Sequence, residues 1–219
     1  ATDASPQAGC WMGVAFAAAY LLFPALQAAN LAEFHAAPLA VPLLLCTYYF
    51  GRRGSVAWFW LFGLLSLSIK EDISLLVFML GLYILWRGKR RWMGLALAAV
   101  SLAWFAVVTF VIIPAAGREF YAGLDQSLYF ARYDEFGSGP GDILLNMLRQ
   151  PLQVLQMLVT PDRLAYLAGL LASVGFLALF DPGSVLIALP LFLANLLSNY
   201  PAMYSGEMHY SAPLVPFIV

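Results

Sequence analysis

Apolar residues run along this chain in long unbroken blocks, without the polar face of a surface helix or the alternation of a half-buried strand. The blocks cover residues 11–29, 36–50, 55–69, 73–86, 92–113, 164–180 and 184–198, and another begins near residue 212. A helix that is apolar all round must be surrounded by protein or lipid. The pattern therefore predicts an all-α polytopic integral membrane protein, with about seven transmembrane helices plus the start of an eighth, in a single transmembrane domain over 1–219. Several blocks are shorter than the ~20 residues a bilayer core asks for, which implies local thinning or helix ends extended by snorkelling side chains.

Charge sets the connectivity. The stretch Ser55–Trp86 reads either as one helix of about 48 Å, at 1.5 Å per residue, or as a hairpin turning at Lys70-Glu71-Asp72. One helix would leave three ionisable groups near the membrane centre, at ~2.5–3.5 kcal/mol each. The hairpin places Arg52-Arg53 and the cluster from Arg87 to Arg91 on one side, which their charge marks as cytoplasmic, and Lys70, Glu71 and Asp72 on the other. Alternation from that anchor makes 114–163 an external connection, with Asp181-Pro182-Gly183-Ser184 as a further inner turn. Within the connection, Ile143, Leu144, Met147, Leu148, Val154, Leu155 and Leu158 recur at helical spacing, predicting an outer-face interfacial amphipathic helix over 142–160 kinked at Pro151.

Composition points to the same solvent. Of 219 residues 63% are hydrophobic and 11% charged, against about 25% charged in a soluble domain, and mean hydropathy is +0.82. A net charge of −1 argues against a nucleic-acid partner, and Cys10 and Cys46 are too few for a disulfide framework or a metal knuckle. The opening Ala1-Thr2-Asp3 and the close at Phe217-Ile218-Val219 inside an apolar block lead us to expect a fragment of a longer protein. No basic residue precedes the first block, as a secretory signal would require, and Ala8-Gly9-Cys10 stands before an apolar segment whereas a lipoprotein cleavage site follows one.

With this topology ten of the twelve carboxylates, all but Asp3 and Asp181, and both histidines fall on the outer face, where four clusters stand out. Glu33 and His35 share a side if the turn before Pro38 is extended; they are either a functional pair or polar residues wetting a loop. Lys70-Glu71-Asp72 builds a turn from three charges where Gly, Asn, Ser or Pro is usual. It is a self-neutralising turn, or a site where a carboxylate orients a hydroxyl and Lys70 meets an anion such as a phosphate. The stretch from Glu119 to Phe136 is an interfacial aromatic belt, or a sugar-binding surface with Arg118 or Arg132 gripping a phosphate. Glu207, His209 and Tyr210 stand just outside the last block. A divalent metal held by the two histidines and carboxylates is conceivable, yet no spacing resembles a zinc signature, so no cofactor is expected to be required. GxSxG, P-loop, dinucleotide and HExxH motifs are missing.

Glu33-Phe34-His35 before a Pro-bearing helix, Lys70-Glu71-Asp72 between short apolar runs and His209-Tyr210-Ser211-Ala212-Pro213 opening a span occur in an order that resembles a family of bacterial and archaeal predicted membrane proteins named only as a domain of unknown function. That family is similar to the C-type superfamily of polytopic glycosyltransferases. The resemblance implies transfer of a sugar from a polyprenyl-phosphate donor to an acceptor on the outer side of the cytoplasmic (inner) membrane of a prokaryote. The superfamily's catalytic carboxylate usually lies in a first outer loop, before the point where this chain begins. Glu33, Glu71 and Asp72 are therefore either the catalytic carboxylates or supporting ones, with His35, Lys70, Arg118, Arg132, Glu207, His209 and Tyr210 as substrate-binding candidates. Two rival readings stand beside it: an ion-coupled secondary transporter using Glu33, His35, Lys70, Glu71 and Asp72 as a relay, and a non-catalytic membrane scaffold. A transporter needs ionisable groups reached from both sides, and the inner half offers almost none.

Overall fold

The structure, a computed structural model, describes residues 6–31, 34–120 and 130–219, with the backbone alone at Pro6 and 117–120. Among these residues every regular element is helical. The first is α1 (Pro6–Leu21), followed by α2 (Pro24–Leu31), α3 (Ala37–Arg53), α4 (Val56–Leu67) and α5 (Ile73–Arg87). α6 (Arg91–Val107) continues through a π-helical stretch at Val108–Ile112 into α7 (Ile113–Phe120). Beyond these come α8 (Pro140–Arg149), α9 (Pro151–Leu158), α10 (Pro161–Ala172) and α11 (Pro182–Leu196), with 3-10 turns at Phe130–Phe136, Leu177–Phe180, Pro201–Tyr204 and His209–Phe217.

The expectation of seven spans and the start of an eighth is overturned. Among the described residues one helix, Arg91–Ala116, is long and apolar enough to cross a bilayer, or two if α1 and α2, bent by 45° at their junction, count as one span. α4 has 12 residues and α5 and α11 have 15. At 1.5 Å per residue these reach about 18–23 Å, against ~30 Å of hydrocarbon. Breakers cut two of the blocks further, the one at 164–180 and the one that begins near 212. Gly175 and Phe176, at φ 59° and 60°, turn the chain after α10 inside the block at 164–180. Pro213 and Pro216 hold the last block in a 3-10 turn. The helix expected over 142–160 is two helices, separated at Gln150, whose backbone (φ −120°, ψ 55°) leaves the helical region just before Pro151.

Two packing relations position everything else. On α5, Ile73, Leu76, Val77, Leu80 and Ile84 are fully buried at helical spacing, and α3, α4, α11 and the His209–Phe217 turn close over the same core. α5 and α6 meet through glycine: a Cβ on Gly94 would lie 2.3 Å from Leu85 N and 2.5 Å from Gly81 O. Only glycine allows that approach, and small residues at a helix contact are how helices associate where lipid supplies no hydrophobic drive. The other face of α6 and its continuation carries Leu95, Leu102, Phe110 and Val111 outward, 49–61% exposed. That apolar exterior is suited to lipid. Trp104 reaches back from it, its Nε1 donating to Leu67 O at 2.9 Å, which ties α6 to the end of α4.

Candidate functional site

Four segments distant in sequence converge at one end of the core. The α4–α5 turn supplies Lys70, Glu71 and Asp72, the residues before α3 supply His35, the Phe130–Phe136 turn supplies Arg132, and the start of the last 3-10 turn supplies His209 and Tyr210. Lys70 Nζ donates to Asp72 Oδ2 at 2.7 Å and stands 3.9 Å from Glu71 Oε1. His35 stacks on His209 with ring centroids 3.6 Å apart and an interplanar angle of 17°, and His209 in turn lies 4.2 Å from the Tyr210 ring. Two cations approach Tyr210: Lys70 Nζ at 5.9 Å and Arg132 Cζ at 5.4 Å from the ring centre. Arg132 also lies 5.2 Å from the Tyr200 ring, and its Nη2 donates to Tyr210 Oη at 3.4 Å.

Backbone contacts hold these segments together. The Asn199 N–H donates to Arg132 O at 2.8 Å, and Asn199 Nδ2 donates to Ala131 O at 3.1 Å and to Asp134 Oδ1 at 2.5 Å. Tyr133 Oη adds a bond to Ala194 O at 3.0 Å, so the arginine-bearing turn is fastened to the end of α11. Beneath His209, Asn195 Nδ2 donates to Tyr210 O at 3.3 Å and to Tyr166 Oη at 3.1 Å, and Tyr166 Oη shares a hydrogen bond of 3.0 Å with Ser211 Oγ. Arg163, buried, donates to the carbonyls of Leu196 and of Ser198 and over 3.1 Å to Thr160 Oγ1.

Burial shapes the electrostatics. It pushes the Glu71 carboxyl up, aided by the Asp72 charge and opposed by Lys70 and Arg132. It pulls His209 down to about 4, with His35, Lys70 and Arg132 acting in the same direction and Asp72 against them, so this imidazole is neutral at neutral pH. Burial also pushes the Tyr133 hydroxyl up to about 12. Among the described residues Asp72 Oδ1 and His209 Nδ1, and Asn195 Oδ1 beneath them, are buried polar atoms without a hydrogen-bond partner, and His209 as a whole is only 7% exposed. The cluster thus combines two cations, a carboxylate with one oxygen engaged and one not, a neutral imidazole and two tyrosine faces. That set suits an anion with an adjoining hydroxyl.

Of the residues singled out in the sequence, His35, Lys70, Glu71, Asp72, Arg132, His209 and Tyr210 come together here. Glu207 does not join them: it is exposed, with its N–H donating to Ser205 Oγ at 3.1 Å. Glu33 lies outside the described residues, and Arg118 is described only as backbone in α7. Among the described residues no three of His, Cys, Asp and Glu are grouped to hold a metal ion. Asn195, Tyr166 and Arg163 sit in or beside apolar blocks, where sequence pattern alone does not single them out. Their polarity inside such blocks was the available signal. A cavity of about 720 Å³ lies elsewhere, lined by Tyr48, about three turns down α3 from Ala37, and by Asp181 and Ser184 at the far end of α11. It is mostly apolar and has none of the cluster's residues in its wall.

No curated protein and no solved structure matches the chain. Over residues 9–219 the sequence fits the model of a family described as "Predicted membrane protein (DUF2079)", whose function is unknown, and the chain belongs to that family.

Proposed function

We propose that the protein is a glycosyltransferase of the cytoplasmic membrane of a prokaryote, related to the C-type superfamily, which moves a sugar from a polyprenyl-phosphate donor to an acceptor hydroxyl on the outer face. The observation that carries this reading is the convergence of His35, Lys70, Asp72, Arg132, His209 and Tyr210 from four separate segments. In the proposed reaction the acceptor oxygen forms a bond to the anomeric carbon while the bond from that carbon to the phosphate oxygen breaks. The phosphate leaves with the electron pair, and Lys70 and Arg132 offset the charge it gains. The acceptor's proton passes to a carboxylate. Asp72, with Oδ2 held by Lys70 and Oδ1 unengaged, is best placed for that role; Glu71, whose carboxyl burial pushes up, is the second candidate. Tyr200 and Tyr210 offer faces to the apolar side of a sugar, and the exposed flanks of the short helices accommodate the lipid chain.

The test uses membranes containing the full-length protein, radiolabelled polyprenyl-phosphate sugars, and the variants Glu33→Gln, Glu71→Gln, Asp72→Asn and Lys70→Met. Loss of a general base costs about 10²–10⁴ in rate, and that loss is expected for Asp72→Asn. No turnover of any donor by the wild type removes the enzyme reading. Wild-type rates in all four variants remove these residues from the mechanism.

A further inference from the structure

At the other end of α3 and α5, six cations crowd into two turns. Arg52 and Arg53 end α3, Arg87 ends α5, and Lys89, Arg90 and Arg91 lead into the helix that can span a bilayer; all six are exposed. The turns touch. Arg52 Nη1 donates to Arg87 O at 2.6 Å, and a Cβ on Gly54, itself at φ 75°, would lie 3.4 Å from Lys89 Cβ and 3.5 Å from Arg90 Cγ. No carboxylate pairs with any of the six among the described residues, and Asp181, on the neighbouring turn, accepts from Ser184 Oγ at 2.6 Å. Six like charges held this close repel one another unless an anion lies between them.

Aromatic side chains and the spanning helix fix the level of this patch. Arg53 lies 4.7 Å from the Tyr49 ring and Arg87 4.4 Å from the Trp86 ring. Trp58, Trp86 and Trp92 are 51%, 61% and 54% exposed around the two turns. Tryptophans of this kind settle where headgroups meet acyl chains. Arg91 is the first residue of the helix long and apolar enough to span, so a bilayer crossed by that helix would have the patch at one membrane–water boundary.

We propose that the two turns form a binding site for the phosphate headgroup of an anionic phospholipid, with the tryptophans against its glycerol and acyl carbons. A free phosphate would satisfy the cations and leave the tryptophans facing water, which is why the lipid is the occupant. The experiment reconstitutes the full chain in nanodiscs of phosphatidylcholine or of phosphatidylcholine mixed with phosphatidylglycerol. It then counts lipids retained after transfer to detergent by native mass spectrometry. Wild type is expected to keep phosphatidylglycerol in preference to phosphatidylcholine, less so as salt rises. Each cation beside an anionic headgroup is worth about fivefold, so Arg90→Gln should lower the preference about fivefold and the triple variant Arg52→Gln, Lys89→Gln, Arg90→Gln about 100-fold. Arg149→Gln, exposed on α8, should leave it unchanged. Equal retention of the two lipids by wild type, an undiminished preference in Arg90→Gln, or displacement of the lipid by inorganic phosphate would each overturn the proposal.

Discussion

Protonation of His209 should destabilise the fold. The imidazole is buried, stacked at 3.6 Å on His35, and faces Lys70 and Arg132, so its charged form meets desolvation and three cationic or potentially cationic neighbours, with only Asp72 in its favour. Its value of about 4, against an ordinary 6.5, means that the unfolded chain takes up the proton first as pH falls. His209 therefore contributes stability that is complete above pH 6.5 and lost as the pH drops towards 4. At 1.36 kcal/mol per pH unit that window sets an upper bound of about 3 kcal/mol, which solvent screening lowers. Glu71 works in the opposite sense: its raised value gives stability that is present in acid and lost as pH rises through the folded-state value. Comparing wild type with His209→Phe, which keeps a flat ring against His35, cancels Glu71 and isolates the histidine. Chemical unfolding in detergent between pH 4 and 8 is expected to show a steeper acid loss in wild type than in the variant. Histidine nitrogen NMR reads the titration directly. A His209 that titrates near 6.5, or a variant with the same acid slope, would refute the reasoning.

Gly94→Val would drive a Cβ into Leu85 N and Gly81 O, forcing α5 from α6; we expect a loss of about 1–3 kcal/mol in unfolding free energy, whereas Gly13→Ala, with nothing within 4 Å, should be neutral or mildly stabilising. Arg163→Met would leave the carbonyls of Leu196 and Ser198 without their donor, at about 1–3 kcal/mol for each buried orphan, and Arg163→Lys should recover only part of it because the guanidinium fork is lost. Trp104→Phe removes the bond to Leu67 O and should cost about 1 kcal/mol, seen as a lower thermal midpoint.

The charged members of the cluster were more legible in the sequence than the helix lengths, for a physical reason. Charges are scarce in this chain, so Lys70-Glu71-Asp72, Arg132 and His209 stood out where they interrupt or border apolar blocks. Glu207 stood out equally and proved exposed on its own loop, because spacing from His209 carries no information about direction. The stacking of His35 on His209, 174 positions apart in the chain, and the cation pair about Tyr210 have no local signature at all. Arg163, Tyr166 and Asn195, which hold the surrounding backbone, were concealed by their apolar neighbours.

An all-helical chain suited to a lipid setting follows from composition and block pattern alone, because burial of apolar area depends on how much there is and not on how it is arranged. How many helices are long enough to span could not follow in the same way. Helix length is settled where the backbone breaks, at Gly175-Phe176, before Pro151 and through Pro213 and Pro216, and by which short helices cover one another. The approach of α5 to α6 through Gly81 and Gly94, and the meeting of four distant segments around Tyr210, belong to the tertiary structure alone, since only packing brings residues so far apart in sequence within a few ångströms.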